Sequence, residues 1–82
     1  MTIIDVRSPE EYKSGHVEKS INIPLQEIKN QLDEIKKFAQ PIILCCASGN
    51  RSGQATDFLT RQGIACENGG AWTDVKRELK NQ

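Results

Sequence analysis

Two adjacent cysteines, Cys45 and Cys46, close the most apolar run of the chain, Ile42-Ile43-Leu44-Cys45-Cys46. A polar, glycine-containing stretch follows, Ala47-Ser48-Gly49-Asn50-Arg51-Ser52. A cysteine at the end of a strand, before a tight loop that enters a helix, faces a ring of backbone N–H groups and the positive end of that helix. Such a nest holds an anion, and the first anion it meets is the cysteine's own thiolate. Holding it lowers the thiol pKa and makes the sulfur nucleophilic near neutral pH. Gly49 supplies a backbone conformation that other residues resist, and Arg51 adds a permanent positive charge. The plainer alternative is a buried strand cysteine beside an ordinary loop, because free cysteine is among the most buried residue types. Gly49, Arg51 and the helix start together favour chemistry at Cys46.

The elements that must position this loop alternate along the chain. Thr2 to Val6 is a β-branched strand closed by Ser8-Pro9. A short helix follows, with Ser8 as N-cap and Pro9 at its first position, and Gly15 ends it. Ser20 to Ile23 is a second short strand. Pro24 opens a longer helix in which Leu25, Ile28, Leu32 and Ile35 form an apolar stripe and the charged residues between them a solvated face. The run Ile42 to Cys46 suits a central strand covered on both faces. Ser52 to Gln62 reads as a helix stopped by Gly63, Ile64 to Cys66 as a fourth strand, and Gly69-Gly70 as a turn. Trp72, Val75 and Leu79 mark a last amphipathic helix. Strands alternating with helices imply a three-layer α/β domain, with a mainly parallel sheet of about four strands and helices on both faces. Ligands bind such sheets outside the carboxyl ends of the strands, where the loop after Cys46 lies.

Eighty-two residues make one domain, 1–82, which buries only about 60% of the surface its unfolded chain exposes. A content of 37% hydrophobic and 27% charged residues places it with folded rather than disordered chains. Eleven basic and eleven acidic residues cancel, so no global field favours nucleic acid or an anionic membrane. No apolar run approaches a membrane span and no leader opens the sequence, which reads as cytoplasmic as it stands, or periplasmic if a leader was removed. Three cysteines, the third being Cys66, form no disulfide framework, and with one histidine they make a poor zinc set.

The segment Cys46-x-x-Gly49-x-Arg51-Ser52, followed by Ala55, resembles the active-site loop of rhodanese domains. Asp5-Val6-Arg7, Glu11-Tyr12, Gly15-His16-Val17 and Ile21-Asn22-Ile23-Pro24 resemble the family's other signatures in order, and Gly63-Ile64 and Gly69-Gly70 its usual ending. The likeness runs from Ile3 to about Asp74 and is greatest to the very short single-domain type known from bacterial phage-shock systems. It implies a sulfurtransferase. The thiolate of Cys46 would take a sulfane sulfur from a small anionic donor such as thiosulfate, hold it as a persulfide, and pass it to cyanide or a thiol in two displacements. The backbone of Ala47, Ser48, Gly49, Asn50 and Arg51, with Ser52, would bind the anion. The resemblance implies no metal and no organic cofactor. A protein sulfur acceptor is compatible with it, and so is a non-catalytic persulfide carrier or binding module.

Three departures stand out. The Asp-x-Arg strand lacks the extra strand and helix that precede it in most single-domain members, Asp74 falls where a tryptophan is common, and Glu18-Lys19-Ser20 replaces small residues with a glycine. Counted from Cys45, the spacing to Arg51-Ser52 also matches the longer loop of cysteine phosphatases, which leaves a phosphatase or arsenate-reductase-like enzyme as an alternative. Against that, Leu44 stands where those enzymes carry histidine, and strand alternation puts Cys45 on a packed face if Cys46 projects into the loop. Asp5 is expected to support the active-site loop by hydrogen bonding, and Arg7 to attract an anionic donor, with pairing to Glu11 as its alternative. His16 is expected to stabilise a turn, Trp72 to pack in the core, and Cys66 to be buried, with a resolving thiol as its less favoured role.

Overall fold

The computed structural model describes residues 1–81. Four parallel strands form one sheet in the order β2-β1-β3-β4, with β1 Thr2–Asp5, β2 Ile21–Asn22, β3 Ile42–Cys46 and β4 Cys66–Ala71. The helices are α1 Pro9–Lys13, α2 Leu32–Ile35, α3 Asn50–Arg61 and α4 Trp72–Lys80. The expected α/β architecture is present.

The central strand explains the two faces. In β3, Ile42, Leu44 and Cys46 point into a cluster with Ile4, Val6, Ile28, Ile35, Ala55 and Leu59, beneath α2 and α3. Cys45 points the other way, among Ile3, Val17 and Val75, against α4. A continuous apolar run is what a strand covered on both sides requires. Each fully buried Ile or Leu contributes roughly 1.5–3 kcal/mol from the removal of its surface from water.

Four expected elements differ. The fourth strand runs Cys66–Ala71 and not Ile64–Cys66. Residues 25–35 do not form one helix but a 3-10 turn at Leu25–Glu27 and the single turn of α2. Leu25, Ile28, Leu32 and Ile35 still all face the first cluster. A spacing of three and four is satisfied by 3-10 and α turns alike, so the stripe reports the face and not the helix type. Helix α3 begins at Asn50, two residues before Ser52, because Gly49 takes the N-cap position with φ 97°. Finally, Gly69-Gly70 is no turn: both residues lie within β4, where the register against β3 slips between Leu44↔Asn68 and Cys45↔Gly70. Gly69 is the extra residue of this β-bulge. A Cβ there would stand 2.8 Å from Val75 Cγ2 and 2.9 Å from Ile43 Cγ2, so no side chain fits without displacement.

Candidate active site

Cys46 ends β3, and the chain turns at once into α3. Its Sγ accepts from the N–H of Gly49 at 3.0 Å and from that of Ser52 at 3.4 Å, and lies 3.3 Å from Ser52 Oγ. Ser52 is the third residue of α3, where backbone N–H groups have no partner inside the helix and carry its positive dipole end. Gly49 is needed for this closure: besides its left-handed φ, a Cβ would meet the Gly70 Cα at 3.3 Å. The thiol is wholly buried. Burial pushes its pKa up, but the Ser52 hydroxyl and the N–H groups of Ser52, Ser48 and Gly49 more than offset this, and the net direction is down.

Cys45, one residue earlier, is equally buried, yet its pKa is pushed up to about 12, first by burial and then by the nearby Asp5 carboxylate. Its side chain is on the opposite face from the loop, so the longer loop counted from Cys45 has no thiolate at its centre. Cys66 pairs in register with Ile42, four residues back from Cys46, about 13 Å along a strand. It is half-buried rather than buried, with Sγ 3.3 Å from Thr60 Oγ1, and a resolving role toward Cys46 does not fit that distance.

The other expected site residues divide. Ala47 and Ser48 are exposed on the loop, and Asn50 is exposed at the start of α3. Arg51 does not turn toward the sulfur. Its guanidinium forms a fork with Glu11, at 2.8 Å and 3.0 Å, that ties α1 to α3 and holds the Glu11 carboxyl down at about 2. The expectations for Asp5 and Arg7 need correction. Asp5 pairs in register with Cys45, which puts its carboxylate on the face away from Cys46. There it accepts from Arg7 Nε and from Nη2 at 2.7 Å, and no loop residue reaches it. Arg7 is buried, donates also to the Gly15 carbonyl at 2.7 Å, and lies 4.8 Å from the Trp72 ring. It is a core cation and not a receptor for a donor in solution. His16 stacks on Tyr12 and its Nδ1 donates to the Tyr12 carbonyl at 2.8 Å, a local turn contact. Trp72 packs against the second cluster.

One residue escaped the sequence reading. Asn68 accepts from Ser52 Oγ at 2.7 Å and from the Gly70 N–H at 3.0 Å through Oδ1, and donates to the Gly49 carbonyl at 2.9 Å through Nδ2. It pairs with Leu44, on the Cys46 face, and the bulge at Gly69 leaves it beside the loop. No local pattern marks it, since its role comes from strand pairing alone.

The site is thus a hydrogen-bonded, buried thiol at the carboxyl edge of a parallel sheet. The family model of the rhodanese-like domain matches residues 1–78. Thiosulfate sulfurtransferase PspE of Escherichia coli (strain K12) is 38% identical over 74 residues, which covers 88% of this chain and 71% of PspE. Thiosulfate sulfurtransferase GlpE of Pseudoalteromonas translucida (strain TAC 125) is 36% identical over 64 residues, covering 78% of this chain and 60% of GlpE. A solved rhodanese from E. coli, described with anions, has a TM-score of 0.79 at 37% identity and covers 89% of this chain and 88% of its own. The chain belongs to the rhodanese-like domain family. It spans 71% of PspE and about half the length of some other curated relatives.

Proposed function

We propose that the protein moves a sulfane sulfur from an anionic donor such as thiosulfate to a thiophilic acceptor, through a persulfide on Cys46. Membership of the family and its likeness to two thiosulfate sulfurtransferases support a sulfurtransferase in general. The observation that carries the finer reading is the pair of N–H groups, of Gly49 and Ser52, that meet Cys46 Sγ. They favour the thiolate, the form that attacks sulfur.

In the first displacement the Cys46 thiolate attacks the outer sulfur of thiosulfate. A sulfur–sulfur bond forms to Cys46, the bond to the sulfonate sulfur breaks, and sulfite leaves with the electron pair. In the second, cyanide or a thiolate attacks the outer persulfide sulfur and expels the Cys46 thiolate. The loop amides accommodate the negative charge at each stage. Because the thiol is wholly covered while Ala47 and Ser48 are exposed, donor access requires the loop over Sγ to yield. The charge of Arg51 is already matched by Glu11, so attraction of the donor rests mainly on backbone dipoles.

The test is intact-protein mass spectrometry after thiosulfate treatment of wild type, Cys46→Ser and Cys45→Ser. The expected result is a gain of one sulfur atom in wild type and Cys45→Ser and none in Cys46→Ser. A gain lost in Cys45→Ser and kept in Cys46→Ser would overturn the assignment, and so would strong turnover of an aryl phosphate.

A further inference from the structure

The hydrogen bonds around Asn68 are one-way, and this decides where the Ser52 proton lies. The Gly70 N–H can only donate, so the atom it meets must be Oδ1. The Gly49 carbonyl can only accept, so the atom it meets must be Nδ2. A flipped amide would set donor against donor and acceptor against acceptor. With Oδ1 so fixed, the 2.7 Å contact from Ser52 Oγ is made by the hydroxyl proton. A hydroxyl has one proton. While it points at Asn68, Ser52 presents only lone pairs to Cys46 Sγ at 3.3 Å. That suits a thiol, whose S–H can donate to Oγ, and opposes a thiolate.

We propose that Asn68 is a positioning residue that holds the Ser52 hydroxyl proton away from Cys46 in the resting thiol and yields it to the sulfur when the thiolate forms. The turn of the hydroxyl leaves no orphan, because Asn68 Oδ1 keeps the Gly70 N–H. The inference rests on Cys46 being the sulfur-accepting nucleophile. In the second displacement the Cys46 thiolate is the leaving group, and a hydroxyl that swings onto it stabilises charge as it develops. Asn68 thus sets the balance between a protonated resting cysteine and a stabilised leaving group. It does so through Ser52, without touching the sulfur.

The experiment is the pH dependence of iodoacetamide alkylation of Cys46, in a Cys45→Ala, Cys66→Ser background, for the parent, Asn68→Ala, Ser52→Ala and the double variant. Asn68 is exposed, so its truncation leaves the core intact. Freed from Asn68, the Ser52 proton turns to the sulfur, and Asn68→Ala lowers the alkylation midpoint by about half a pH unit. Ser52→Ala raises the midpoint, and in that background Asn68→Ala produces no further shift. A raised or unmoved midpoint in Asn68→Ala, or the same shift with and without Ser52, means that Asn68 only braces the loop, and overturns the proposal. Alkylation needs no sulfur donor, so this result is separable from persulfide loading: failure of thiosulfate to load Cys46 would remove the reaction while leaving the coupling of Asn68, Ser52 and Cys46 measurable.

Discussion

Cys45 and Cys46 are neighbours in one strand, and both are wholly buried, yet they occupy opposite chemical worlds. Cys46 faces a helix start and a loop whose N–H groups end on its sulfur. Cys45 faces aliphatic side chains and the Asp5–Arg7 pair across the sheet. Burial alone raises a thiol pKa, as it does at Cys45. What separates the two is a handful of donors supplied by residues 48–52 and absent one residue earlier. The difference shows that reactivity in this fold belongs to a face of the sheet and not to a residue type.

The sharpest way to break this comparison is to measure both thiols. With Cys66→Ser removing the third cysteine, alkylation of the folded protein at neutral pH should fall on Cys46. Its midpoint lies below the ordinary thiol value of 9.0, whereas that of Cys45 lies near 12. The thiolate fractions then differ by about a thousandfold or more, a ratio of ten for each pH unit. Comparable labelling of the two, read by fragmentation of the Cys45–Cys46 peptide, would erase the distinction between the faces.

The next largest effect is expected on the Cys45 face. Arg7→Leu leaves the Asp5 carboxylate buried without its cation, which destabilises the domain by about 3 kcal/mol in chemical denaturation. The Cys46 alkylation midpoint should barely move. A large change there would mean that the two faces are electrostatically continuous. Gly69→Ala is the substitution that should disturb both. The added methyl collides with Val75 and Ile43 on one face and displaces the bulge that places Asn68 on the other. A loss of about 2 kcal/mol is expected, together with a shifted Cys46 midpoint. A loss of stability with no shift would show that the bulge serves packing alone.

The smallest effect should be a gain. Lys19 adopts φ 70°, a left-handed conformation that residues with a Cβ resist. Lys19→Gly should raise stability by roughly 0.5–1 kcal/mol, the relief of left-handed strain less the entropy of the more flexible unfolded glycine. It lies beside Val17 of the Cys45 face, so transfer at Cys46 should be unchanged. Thermal melting and a sulfur-transfer assay check the two halves of that expectation.

Much of this protein was legible along the chain. Local chemistry settles the Ser8 cap, where the side chain accepts from the Glu11 N–H and Glu11 reaches back. It also settles the alternation of β3, which separates Cys45 from Cys46 with no tertiary information. The loop Cys46 to Ser52 was equally readable, because a glycine before a helix start constrains the backbone within a few residues. The partners of charged side chains were not. Asp5, Arg7, Glu11 and Arg51 lie at one edge of the sheet and admit several pairings. The pairing Asp5–Arg7 and Glu11–Arg51 follows from the register of β1 on β3, which turns Asp5 toward the Cys45 face, and from the approach of α1 to α3.

The sequence by itself determined the alternation of strands and helices, which face each apolar residue takes, and which cysteine stands at the helix entrance, because backbone preference and side-chain period act over a few residues. Only the tertiary structure decided that Arg51 is held by Glu11, that Arg7 is a core cation, and that Asn68 orients the hydroxyl beside Cys46. Hydrogen-bond direction and charge pairing depend on which strands and helices become neighbours, and contacts between residues 16 to 40 positions apart are invisible to local pattern.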